Sequence, residues 1–60
     1  MIIHYNPKTQ KHYGRMMTEG ILKARNIPYE EIEDDREVLE HEGEEYPLED
    51  MTREQLNKII

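Results

Sequence analysis

Apolar residues in this chain come in short runs separated by charge, and their spacing changes from one segment to the next. Met1–Tyr5 is short, apolar and β-branched, which predicts a strand. Asn6-Pro7 ends it. Asn6 is a candidate helix cap with Pro7 at the first helical position, and Thr9 is a candidate cap slightly later. Tyr13, Met16, Met17, Gly20, Ile21 and Ala24 then recur at three- and four-residue steps. That spacing predicts a helix over Thr9–Arg25 with these residues as its apolar stripe. Gly14 and Gly20 each weaken a helix by about 1 kcal/mol relative to Ala. Gly20 lies on the stripe, where close approach of a neighbouring backbone would compensate. Asn26 suits a left-handed C-terminal cap, and Pro28 bars continuation.

Tyr29–Glu33 reads as a second strand around Ile32. Asp34-Asp35-Arg36-Glu37 has the form of a capping box and predicts a short helix through Val38 and Leu39 to Gly43. Tyr46-Pro47-Leu48 is extended, because the residue before a proline avoids helical angles. Thr52 and Gln55 form a further capping box, and Met51 and Leu56 are placed for a hydrophobic staple. Leu56, Ile59 and Ile60 carry the apolar face of this last helix. The order is strand, helix, strand, helix, extended piece, helix. It predicts a single domain over 1–60 of α/β (α+β) class, a short sheet packed by helices, with two parallel strands joined by a right-handed crossover. The expected core is Ile3, Met17, Ile21, Ile32, Leu39, Leu56 and Ile59.

Composition narrows the classes. Apolar residues make up 35% of the 60 positions and charged residues 37%, so the core is small and stability marginal. Cysteine is absent, which removes disulfides, thiolate metal sites and thiol redox chemistry. No apolar run approaches a membrane span, and Met1-Ile2-Ile3-His4 lacks the charged and long apolar regions of a signal peptide. A cytoplasmic location is the expectation.

Charge is divided between the two halves. Residues 1–28 hold five basic residues (Lys8, Lys11, Arg15, Lys23, Arg25) against Glu19; residues 29–60 hold three against thirteen acids. The densest stretch is Glu30, Glu31, Glu33, Asp34, Asp35, Glu37, Glu40, Glu42, Glu44 and Glu45, ten acids in sixteen positions opposed only by Arg36. Such a split predicts an acidic face, an acidic tail, or a folded dipole whose halves attract. On a strand, Glu31, Glu33 and Asp35 share one side at intervals of roughly 6.6 Å. On the helix expected next, Glu37, Glu40 and Glu44 form a row about 5–6 Å apart.

Several phrases of the chain resemble the thioredoxin-like fold, most closely glutaredoxins and the glutaredoxin-type arsenate reductases. The opening strand into Tyr5-Asn6-Pro7-Lys8-Thr9 is similar to the strand and Asn-Pro-basic-Cys loop of the arsenate reductases. Ile27-Pro28-Tyr29-Glu30-Glu31-Ile32 looks like the second strand of the wider group. Tyr46-Pro47 falls where that fold often keeps a cis-proline, and Thr52-Arg53-Glu54-Gln55-Leu56 resembles a Thr-Arg-Glu-Glu-Leu helix opening. The resemblance implies a thioredoxin-like β-α-β-α-(β)-α arrangement. It supplies no nucleophile: Thr9 stands at the cysteine position in one alignment, and His12 and Arg15 at the Cys-x-x-Cys positions in the other. A related chain would be shortened and redox-inactive. In size and acidity the chain also resembles small acidic virus-encoded inhibitors.

No catalytic constellation emerges. His4, His12 and His41 lack helical pairing, so no metal site is expected, and neither phosphate-binding nor EF-hand spacing is present. No cofactor is expected. Lys8, Lys11, Arg15, Lys23 and Arg25 interleave with Tyr5 and Tyr13, yet the isoelectric point near 4.9 opposes direct nucleic-acid binding. The leading expectation is a non-enzymatic protein that presents the ten acids of 30–45 to a basic partner surface. Such a partner includes a nucleic-acid-binding host protein, inhibited by mimicry of nucleic-acid charge, in the host cytoplasm if the protein is viral. Two alternatives stand beside it: an interaction adaptor using an apolar or tyrosine-bearing surface, and a redox-inactive glutaredoxin relative.

Overall fold

In the computed structural model, which describes residues 1–60, the chain runs β1 (Ile2–Tyr5), α1 (Tyr13–Ala24), β2 (Glu30–Glu33), β3 (Val38–His41), β4 (Glu44–Pro47) and α2 (Arg53–Ile59). The strands form one mixed sheet in the order β2-β1-β3-β4. β1 and β2 are parallel, as the crossover-length gap between them predicts, with α1 crossing from one to the other. β3 is antiparallel to β1 and β4 antiparallel to β3.

The helix expected over Asp34–Gly43 is instead the start of a β-hairpin. His41 pairs with Glu44, leaving Glu42 and Gly43 as a two-residue turn. Their φ angles of 51° and 82° are both left-handed, the signature of a type I′ turn whose twist suits a hairpin. Leu39 pairs with Ile3 on one side and Tyr46 on the other, so burial in the sheet outweighs the local capping signal. The Asp34 carboxylate accepts from the Asp35 N–H at 2.7 Å and from Arg36, rather than capping a helix. All peptide bonds are trans, Tyr46–Pro47 included, where the resemblance implied a cis bond.

α1 starts later than expected. His12 is the cap, with Nδ1 accepting from the Arg15 N–H at 3.3 Å. Asn6-Pro7 is used in a turn, closed by the Thr9 N–H on the Asn6 carbonyl and by the Lys8 N–H on Asn6 Oδ1. At the other end Asn26 is left-handed, as expected (φ 56°), and the Ile27 N–H returns to the Leu22 carbonyl. α2 keeps its capping box, with Thr52 and Gln55 bonded reciprocally.

The core comprises Ile3, Met17, Leu22, Leu39, Leu48, Met51 and Leu56. Ile21 and Ile59 are only half-buried against it, and Ile32 is 40% exposed. The buried face of α1 is Gly14, Met17, Thr18, Glu19 and Leu22, while Tyr13 and Met16 of the expected stripe lie in solvent. Gly14 explains the rotation. A Cβ there would collide with the Leu48 carbonyl, so the close backbone approach is at Gly14; the space around Gly20 is open. Arg25 Nη2 donates to Asn57 Oδ1 at 2.6 Å and ties the end of α1 to α2.

The register divides the side chains between two faces. Ile3, Leu39 and Tyr46 face the helices, with Glu31 and Glu33 beside them. Ile2, His4, Glu30, Ile32, Val38, Glu40, Glu45 and Pro47 lie on the other face, which no helix covers.

Candidate acidic docking edge

Folding splits the acidic segment into acids with basic neighbours and acids without. On the helix side, Arg15 is central. Its guanidinium lies 4.8 Å from the Tyr5 ring centroid, and Nη1 is 3.4 Å from Glu37 Oε2. Glu37 also accepts from the Asn6 N–H at 2.6 Å, and His12 Nε2 sits 2.9 Å from its other oxygen, off the line of a hydrogen bond. Glu19, the one acid of the basic half, is buried between Lys11 and Arg15. Burial pushes its carboxyl upward, but hydrogen bonding and charge from Lys11, with Arg15, bring it below the usual range.

On the open face, the buried ring of His4 lies between two carboxylates. Nδ1 is 3.1 Å from Asp34 Oδ2 and Nε2 is 2.8 Å from Glu40 Oε1. Arg36 joins the cluster, with Nη2 2.9 Å from Asp34 and Nη1 2.6 Å from Glu45. The Arg36 hydrogen bond, then those from Asp35, hold the Asp34 carboxyl well below the ordinary carboxylate range. Hydrogen bonds to Asp34 and Glu45 raise Arg36 in turn. The ligand atoms of His4, Glu40 and Glu45 lie within 4.8 Å of one another, close enough to hold a metal ion. The cation standing at Glu45 is the Arg36 guanidinium. Histidine spacing along the chain gave no signal of this group, because three separate strands assemble it.

Of the ten acids singled out in the sequence, Asp34, Glu37 and Glu45 pair with arginines, Glu40 bonds to the His4 ring, and Glu42 lies 3.8 Å from His41. Glu30, Glu31, Glu33, Asp35 and Glu44 are exposed and form no ion pair, although Lys11 and Arg15 lie near enough to Glu31 for their charge to act on its carboxyl. Four of these five occupy β2 and its exit. Glu31 and Glu33 share a face as expected, but Asp35 lies past the end of the strand. The helical row of Glu37, Glu40 and Glu44 does not exist: Glu37 precedes β3, Glu40 is on the open face, and Glu44 closes the hairpin turn.

β2 is therefore an edge strand whose four residues are all exposed, three of them acidic. Its electrostatics are those of crowded like charge. The hydrogen bond with Glu19, then burial and Glu19's charge, raise the Glu31 carboxyl above its usual range. Burial, then the charges of Glu33 and Glu31, push the Tyr5 hydroxyl up. Arg36, Lys11 and Arg15 act as neutralising partners; the unequal charge of the two halves is the sequence signal for Lys11 and Arg15, and Arg36 stands alone among the acids of 30–45. Compared with known proteins, the chain matches no family model, no curated protein and no solved structure. No helix is long and apolar enough to cross a membrane.

Proposed function

We propose that this is a non-enzymatic binding protein that docks its acidic β2 edge on a basic partner surface, and that it inhibits a nucleic-acid-binding protein by occupying that surface with carboxylates. One observation carries the reading. Of the five acids of the segment that form no ion pair, four gather on one edge, Glu30, Glu31, Glu33 and Asp35, while Glu44 closes the hairpin turn at the far side of the sheet. A row of like charges without partners opposes folding, and it attracts cationic side chains that otherwise hold phosphates. The parallel β1–β2 pair with α1 between them, followed by a hairpin and a helix, supports a further part of the reading. The chain is a shortened, cysteine-less relative of the thioredoxin-like group, without redox activity.

Capture of partners from cell lysate at low and moderate salt tests the reading, using the wild type and a variant with Glu30, Glu31, Glu33 and Asp35 all replaced by Lys. The expected result is a basic protein held at low salt, released at moderate salt, displaced by added nucleic acid and lost in the variant. Equal capture by wild type and variant at low salt overturns the reading. The adaptor alternative then gains ground. It has its own support in a groove of about 450 Å³ lined by Tyr13, Met16, Met17, Gly20, Ile21, Ala24 and Arg53, where Tyr13 is 59% and Met16 51% exposed.

A further inference from the structure

The two edges of the sheet are guarded differently. The Glu30 N–H donates to the Met1 carbonyl at 3.0 Å and the Asp34 N–H to the Tyr5 carbonyl at 2.8 Å. Alternate residues of a strand turn their main-chain groups to opposite sides, so residues 30, 32 and 34 serve β1. Glu31 and Glu33 then direct their N–H and C=O groups away from the sheet. At the far edge, the Leu48 N–H donates to the Glu37 carbonyl at 3.0 Å, so residues 44, 46 and 48 serve β3. That leaves Glu45 and Pro47 facing outward, and proline has no N–H to offer. Proline on an edge removes a ladder donor from every would-be partner strand, whereas charge alone selects among partners. Pro47 thus removes one of the two outward N–H groups of the β4 edge and blunts it. The β2 edge keeps both of its outward N–H groups, at Glu31 and Glu33, and its acids disfavour strands of like charge.

We propose that β2 is a strand-addition site. Its free edge accepts an extended basic segment of a partner protein, held by main-chain hydrogen bonds to Glu31 and Glu33 and by Lys or Arg side chains against their carboxylates. This rests on the acidic docking reading and specifies how docking occurs. A second copy of the chain is the wrong occupant, because β2 against β2 sets glutamate beside glutamate. Glu31 and Glu33 are two residues apart, roughly 6.6 Å along the strand, which Lys or Arg at alternate positions of an extended peptide matches. An arriving ammonium or guanidinium also relieves the crowding of Glu19 and Glu31.

The test uses the wild-type chain and synthetic octapeptides. The first has Lys and Val alternating; the second has the same side chains with alternate main-chain nitrogens methylated; the third replaces Lys by Glu. The first peptide is expected to bind at low salt and to slow hydrogen exchange at the Glu31 and Glu33 amides. Methylation is expected to weaken binding by roughly tenfold or more, as expected for the loss of two main-chain hydrogen bonds. The Glu peptide is expected not to bind, and a variant with Glu31 and Glu33 replaced by Lys is expected to reverse the preference. Equal binding of the methylated peptide, without amide protection, overturns strand addition and leaves charge docking standing. No binding of the first peptide also overturns strand addition, and the lysate capture above judges charge docking separately.

Discussion

Gly14 and Gly20 sit six residues apart on α1 and meet opposite surroundings. A methyl group at Gly14 runs into the Leu48 carbonyl, which belongs to a backbone that cannot rotate away. Gly14→Ala is expected to destabilise the domain by roughly 1–3 kcal/mol, the usual range for overpacking. At Gly20 nothing lies within 4 Å, so Gly20→Ala is expected to stabilise by about 0.5–1 kcal/mol through helix propensity. Chemical denaturation of the two variants checks both signs. The carboxylates likewise differ residue by residue. Asp34 is held below its ordinary range by Arg36, so its contribution to stability is fully present above the unfolded carboxylate range and fades as acid protonates it. Glu31 is raised, so the folded state favours its protonated form, and stability drains away as pH rises through its titration. Asp34→Asn is therefore expected to lower the melting temperature at neutral pH, and Glu31→Gln to raise it. Both differences should shrink in strong acid, and melting curves across pH read them directly.

Among the elements, those with complete local signals were legible and those that depend on a partner strand were not. The α2 capping box, the Asn26 stop and the β1–α1–β2 crossover follow from residue order alone. The Val38–Pro47 hairpin does not, because Asp34 and Glu37 imitate a helix cap and only the pairing of Leu39 with Ile3 and Tyr46 decides against it. The apolar stripe of α1 misled for a related reason. Its Tyr and Met residues are large enough to suggest a core, but the absence of a side chain at Gly14 sets which side of the helix meets Leu48. Ile32, apolar and central in its segment, has the sequence mark of a core residue, but β2 is an edge strand on which its side chain points to the open face. Two measurements separate these elements. Leu39→Ala is expected to cost about 2–5 kcal/mol, while Ile32→Ala is expected to cost about 1 kcal/mol or less. At the hairpin turn, Glu42 holds a left-handed φ that favours Asn or Gly, so Glu42→Asn is expected to stabilise by up to about 1 kcal/mol. A denaturation midpoint that falls with Glu42→Asn would contradict the type I′ assignment.

Across the whole molecule, Arg15 joins the basic half to the acidic half at Glu37, Arg36 offsets acids within its own half, and surplus negative charge is left at the rim. The Arg15–Glu37 contact joins α1 to the segment before β3, the Lys11–Glu19 contact ties α1 to the loop that precedes it, and their acidic side chains are only 10–14% exposed. Salt screens such sheltered pairs weakly. Glu30, Glu31, Glu33 and Asp35 lie open to solvent, so salt screens their mutual repulsion well. The two populations respond to ionic strength differently, and the balance has a sign. With a net charge of −6, raising salt from low to moderate concentration removes more repulsion than attraction, so the melting temperature is expected to rise. Docking on a basic partner should weaken over the same range, because screening there acts on attraction. Replacing Glu30, Glu31 and Glu33 by Gln and Asp35 by Asn is expected to flatten both responses together, since one set of carboxylates produces them. A variant that loses the salt dependence of binding but keeps that of stability would place the destabilising charge elsewhere, at the hairpin tip around Glu42 and Glu44 or at Glu49, Asp50 and Glu54.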